Sequence, residues 1–163
     1  MTFRQMLIGL SNTLKKGQAE FNQKGVSADR LVEKTLHPTM LCLDFQIQSA
    51  IHHALAGTLA IGTGTFRPMS KTLSLTYDGH VNAVQETIDS LEKLTLERYS
   101  KTANPRISVE LPKATLRFTL EDFLLSFSIP NFFFHVTTAY DILRANEVSI
   151  GKSDYLGPMR ISM

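Results

Sequence analysis

One cysteine, Cys42, occurs in 163 residues, so no disulfide can form within the chain. A cysteine-poor sequence fits a reducing compartment. Long apolar runs are missing as well: no stretch approaches the roughly 18 residues that read as a membrane-spanning helix. The opening residues, MTFRQMLIGLSNTLKKG, do not read as a secretory signal. Arg4, Gln5, Ser11 and Asn12 interrupt the apolar positions, and Lys15 and Lys16 follow. The expectation is a cytoplasmic protein with no membrane contact. Basic clustering is absent too. The 17 lysines and arginines are scattered among 15 acidic residues, for a net charge of +2. No basic stripe interleaves with aromatics, so no nucleic-acid partner is expected. Nor is there a repeat, a low-complexity tract or a linker, which predicts one domain over residues 1–163.

Short catalytic motifs are incomplete. Gly151-Lys152-Ser153 resembles the end of a phosphate-binding loop, but the glycine required at position 146 is Asn146, and a helix precedes it rather than a strand. Ser149-x-x-Lys152 matches one β-lactamase motif, as does Ser90-x-x-Lys93, and the companion motifs are missing. Cys42 is followed by leucine on an apolar segment, which suits packing better than nucleophilic chemistry.

What is present is helical periodicity. Phe3, Met6, Leu7, Leu10, Leu14 and Phe21 predict a first helix from about Thr2 to Lys24, stopped by Gly25. Ser27 reads as the N-cap of a short helix with Asp29 in its first turn. Leu43, Ile47, Ala50 and Ala54 stripe a second long helix, from about Thr39 to Ile61. Val81, Val84, Ile88, Leu91 and Leu94 stripe a third, from Thr76–Asp78 to about Arg98. Ile107, Val109 and Leu111, then Leu116 and Phe118, alternate as a β-hairpin. Thr119 is placed to cap a single helical turn. A fourth long helix is expected from about Pro130 to Arg144, followed by a loop-like tail. The fold class that buries four such stripes is all-α, a four-helix bundle with a short β-hairpin before the last long helix.

The stretch IPNFFFHVTTAY, from Ile129 to Tyr140, runs three phenylalanines into His135. By spacings of three and four, His135 shares a face with Phe132, Val136, Ala139, Ile142 and Leu143 and points toward the core. It reads as a structural imidazole, a ligand or a catalytic group. His52 and His53 are adjacent on the second helix, where each step turns about 100 degrees, so one of them at most faces inward. His53 is that one, with Gln46 on the same side. His37 and His80 lie near helix starts and are expected on the surface. Asp44 would meet His135 only if the second helix rotated inward.

Longer stretches carry a resemblance. Ile129 to Gly157 is similar to the C-terminal signature of an uncharacterised family of domains, DUF1993: Leu-Pro-Asn-Phe-aromatic-Phe-His, then Tyr-x-x-Leu-Arg, then Gly-Lys-x-Asp-aromatic-Leu-Gly. Leu36 to Ala50 resembles the family's Leu-x-Pro-Asp-Met and its downstream glutamine, with Thr39 at the usual aspartate. The spacing from Met1 to Gly157 fits. That family resembles the DinB/YfiT-like superfamily of four-helix bundles. Many of those bind a divalent metal through one histidine on the second helix and two, four apart, on the fourth, and some transfer thiols to small electrophiles. His135 matches the first fourth-helix histidine, Ala139 stands at the second, and the second-helix position falls near Gln46.

The resemblance thus implies a bundle with an incomplete ligand set, and no cofactor is expected. The leading expectation is a small-molecule-binding bundle for an apolar ligand. Phe132 walls its pocket, Gln46 and His53 line it, and Tyr140 or Gln46 orients the ligand. If catalytic, it uses His135 as a metal-free acid/base for isomerisation, dehydration or cyclisation. A metal-dependent transferase or hydrolase and a non-catalytic homodimer are the other readings. Asn131 is expected to cap the fourth helix or hold neighbouring backbone, and Arg144, Lys152 and Asp154 to pin the tail.

Overall fold

The computed structural model describes residues 2–94 and 104–161. Helix α1 spans Thr2–Gln23 and buries Met6, Leu7, Leu10 and Leu14. It ends in the left-handed turn its glycine allows: Gly25 has φ +68°, and the Val26 amide donates back to the Phe21 carbonyl at 2.9 Å. A 3-10 turn follows at Ala28–Leu31, and Ser27 caps it by accepting from the Asp29 amide, as expected.

Helix α2 spans Leu43–Thr63 and so begins four residues later than its apolar pattern suggests. The cause is local hydrogen bonding. The Leu43 and Asp44 amides donate to the Lys34 and Val32 carbonyls, which ties the helix start to the 3-10 turn. Gly64, at φ +74°, closes α2. Helix α3 spans Tyr77–Lys93; Thr76 accepts from the Gly79 amide, and Oδ1 of Asp29 accepts from the Tyr77 amide. Its expected continuation over 95–98 lies outside the described residues.

The expected hairpin forms, and it gains a third strand. Strand β1, Thr65–Phe66, pairs in parallel with β2, Arg106–Leu111, which pairs antiparallel with β3, Ala114–Thr119. The fold is therefore mostly helical with a small three-stranded mixed sheet, rather than all-α. Two residues are too few for β1 to show alternation. Thr119 caps a single turn at Leu120–Asp122, as expected. A π-helical turn, Phe123–Ser128, then feeds directly into helix α4, Ile129–Ala145. The tail is not all loop: Lys152–Leu156 forms helix α5.

Two apolar cores result. The larger gathers Leu7, Leu10, Leu14, Ile47, Val84 and Phe132 from the four long helices. The smaller gathers Ala60, Phe66, Ile107, Val109 and Phe123 where α2 meets the sheet and the π turn. Asp154 pins α5: it accepts from the Gly151 amide at 2.9 Å and from Lys16 at 2.5 Å. Asn131 holds backbone rather than capping, since Nδ2 donates to the Phe127 carbonyl. Helix α5 lies so close to α1 that a Cβ on Gly9 would sit 2.2 Å from the Tyr155 carbonyl oxygen. Gly9→Ala must therefore push α5 outward and is expected to cost about 1–3 kcal/mol in urea unfolding; unchanged stability would refute this packing.

Candidate functional site: an imidazole–aromatic cluster

The structure brings His135 of α4 against Gln46 and His53 of α2. Gln46 is buried, and both ends of its amide are engaged. Its Nε2 donates to the Leu41 carbonyl at 2.9 Å, which turns Oε1 toward the imidazole. Nδ1 of His135 lies 2.8 Å from that oxygen. Only an Nδ1–H can pair with a carbonyl oxygen, so the amide sets the tautomer of His135. Its Nε2 keeps a lone pair, has no hydrogen-bond partner among the described residues and is not sealed from solvent.

His53 stands in a stack. Its ring lies 5.2 Å from Phe66 at 24° and 5.8 Å from His135 at 23°, with Phe127 tilted against it at 5.9 Å. Phe45 and Phe134 meet His135 edge-on at 5.9 and 5.3 Å. Phe134 is 55% exposed, so one side of the cluster is at the surface. Nδ1 of His53 is buried with no protein partner. His52 takes the other side of Phe66, which it meets edge-on at 5.3 Å, and its Nε2 donates to the Arg67 carbonyl at 2.6 Å.

Burial dominates the electrostatics. It pushes His53 down to about 4, helped by the nearby His135 and His52 rings, and pushes His135 down to about 4 on its own. Removing a charged imidazolium from water disfavours it, and the rings touching the pair are phenyls and imidazoles with no carboxylate to offset that cost.

The other expected site residues lie elsewhere. Phe132 is fully buried against Phe3, centroids 4.8 Å apart, in the larger core. Tyr140 packs on Tyr155 of α5 at 5.5 Å. Neither shares a ring contact with His135. His80, expected on the surface, is fully buried. Its Nε2 lies 3.0 Å from Oδ1 of Asp44, off the axis of a good hydrogen bond, and its Nδ1 has no protein partner. Burial pushes His80 down against the upward pull of the Asp44 carboxylate. Asp44 thus faces His80, not His135. A groove of about 760 Å³ lies apart from the cluster, bordered by Phe3, Ile8, Ile61, Leu91, Leu124 and Ile129.

Phe45, Phe66 and Phe127 escaped the sequence reading. Phe45 neighbours Gln46 on α2 and carried a readable signal. Phe66 needs the β1–β2 pairing and Phe127 the π turn, and no periodicity announces either.

The metal pattern implied by the resemblance asks for donors at positions 139 and near 46. Ala139 is buried and has none, and Gln46 is committed to Leu41 and His135. A catalytic zinc takes about three protein ligands. Among the described residues, no three His, Cys, Asp or Glu side chains converge on a metal position. The residues present do not fit the ion.

No described helix is long and apolar enough to cross a membrane. The chain superposes on a DinB family member from Shewanella denitrificans with a TM-score of 0.77 at 30% identity, covering 99% of this chain and 90% of that one. This mostly helical fold is thus of the DinB-like class. Residues 1–156 match the profile of DUF1993, a domain of unknown function, and the chain belongs to that family. No curated protein matches the sequence.

His53 and His135 have folded values of about 4 against 6.5 for a free imidazole. The unfolded chain therefore binds more protons between those values. Stability from this source is complete above about pH 6.5 and is lost as pH falls toward 4. Urea unfolding is expected to show this decline and a shallower one in His53→Phe; equal slopes would contradict the assignment.

Proposed function

We propose that this chain is a DinB-like four-helix bundle that binds a small, largely apolar molecule without a metal at the cluster between α2 and α4. The observation that carries this is the bond from His135 to Gln46. It leaves Nε2 of His135 as an unpartnered acceptor, held in one orientation beside Phe45 and Phe134. A rigid polar group on an apolar wall is what small-molecule sites use to orient a ligand.

Binding is preferred over acid/base turnover on chemical grounds. A general base works best with a pKa near the operating pH, and burial holds His135 at about 4. At neutral pH it is a good acceptor and a poor proton carrier.

Two measurements test the reading. Zinc and nickel titrations should show no stoichiometric uptake. Stoichiometric zinc that disappears in His135→Ala would replace this proposal with a metal-dependent transferase. para-Cresol, an apolar ring with one donor, should shift the NMR signals of His135, Phe45 and Phe134. In His135→Phe its affinity should fall by about 0.5–1.5 kcal/mol, the net worth of one hydrogen bond. No cresol response and no metal would leave a non-catalytic, self-associating bundle.

A further inference from the structure

The cluster carries a second polar atom that one acceptor does not explain. His53 is about nine-tenths buried, and its Nδ1 is sealed from solvent with no partner. Its Nε2 is not sealed and has no hydrogen-bond partner among the described residues either. One ring nitrogen of a neutral imidazole carries the proton. A buried N–H without an acceptor is the rarer and costlier orphan, so the proton belongs on the solvent-reached Nε2. His135 is fixed the opposite way. Gln46 takes its Nδ1–H, which leaves Nε2 as a lone pair.

The two open nitrogens are therefore complementary: His53 Nε2–H donates and His135 Nε2 accepts. Their rings are near-parallel, with centroids 5.8 Å apart. No hydrogen bond joins them, so both remain available to a third group. Resting on the binding role above, we infer that the site takes an uncharged ligand with an apolar ring and both a hydrogen-bond donor and an acceptor, as in a lactam, a ureide or a pyridone.

Three features narrow the class. The flanking rings are phenyls, Phe45 and Phe134 against His135 and Phe66 and Phe127 against His53, which suits a flat apolar body. Cationic ligands are disfavoured, because this environment holds its own imidazoles uncharged well below neutrality and offers them no carboxylate in contact. Anionic ligands meet the lone pair of His135 head-on and find a single N–H, which is too little to offset their desolvation.

The test compares three probes of similar size by NMR titration at pH 7. 2-Pyridone has adjacent N–H and C=O groups, N-methyl-2-pyridone keeps the acceptor alone, and phenol keeps a donor. 2-Pyridone is expected to bind at least tenfold more tightly than either. His53→Phe should abolish its advantage over phenol, and His135→Phe its advantage over N-methyl-2-pyridone. Equal binding of all three overturns the donor-and-acceptor inference while leaving the binding role standing; no binding of any overturns both. Long-range proton–nitrogen spectra of the unliganded wild type give a check independent of the variants. They should show His53 protonated at Nε2 and His135 at Nδ1, and His53 protonated at Nδ1 would overturn the inference.

Discussion

Helix α2 has to bury polar side chains among its apolar ones, and much of the structure follows from how its two glutamines are satisfied. Gln46, Gln48, Ser49 and His53 are all buried on it. A buried amide left unpaired costs about 1–3 kcal/mol, so each glutamine demands partners on a neighbouring segment. Gln46 takes the Leu41 carbonyl and His135, which couples the entry to α2 with α4. Gln48 donates to Asp44 and to the Leu73 carbonyl and accepts from the Leu73 amide, which anchors the long connection before α3. The same need that holds the fold together also orients the His135 ring.

The far end of α2 meets a different constraint. Gly57 lets Ser128 approach so closely that a Cβ there would lie 2.5 Å from the serine Oγ. Ser128 closes the π turn, and the wider winding of that turn stacks Phe123 and Phe127 at 5.8 Å, with both rings against Phe66. A single π turn inside helical structure often accompanies a functional site. Here it supplies the ring that tilts against His53, so the smaller core and the cluster share a wall.

Ala139 and the commitment of Gln46 leave the cluster with hydrogen-bonding groups rather than a set of metal ligands. The histidine that the resemblance aligns with a metal ligand keeps its orientation through a neutral amide. Two imidazoles that burial keeps uncharged offer hydrogen-bonding nitrogens rather than positive charge. The second buried histidine, His80, faces Asp44 on the other side of α2 and belongs to the tie between α2 and α3.

Helix spans, caps and the hairpin were legible because their causes are local. Ser27, Thr76 and Thr119 cap where their sequence places them, and apolar spacing marks the buried faces. Gln46 and His53 could be placed near the core face of α2 by the same periodicity. His80 was misplaced although Tyr77, His80, Val84 and Thr87 follow helical spacing and are all buried; polarity outweighed a periodic signal that was present. The strand β1, the π turn and the arrival of Phe66 and Phe127 beside His53 had no local signature. The sequence by itself determined the four long helices and their apolar faces, because propensity, capping and periodicity act over a few residues. Only the tertiary structure decided which polar groups meet, which nitrogen of His135 faces the amide of Gln46 and that burial lowers the basicity of His53 and His135. Those properties depend on the distance and polarity of atoms that are remote in the chain.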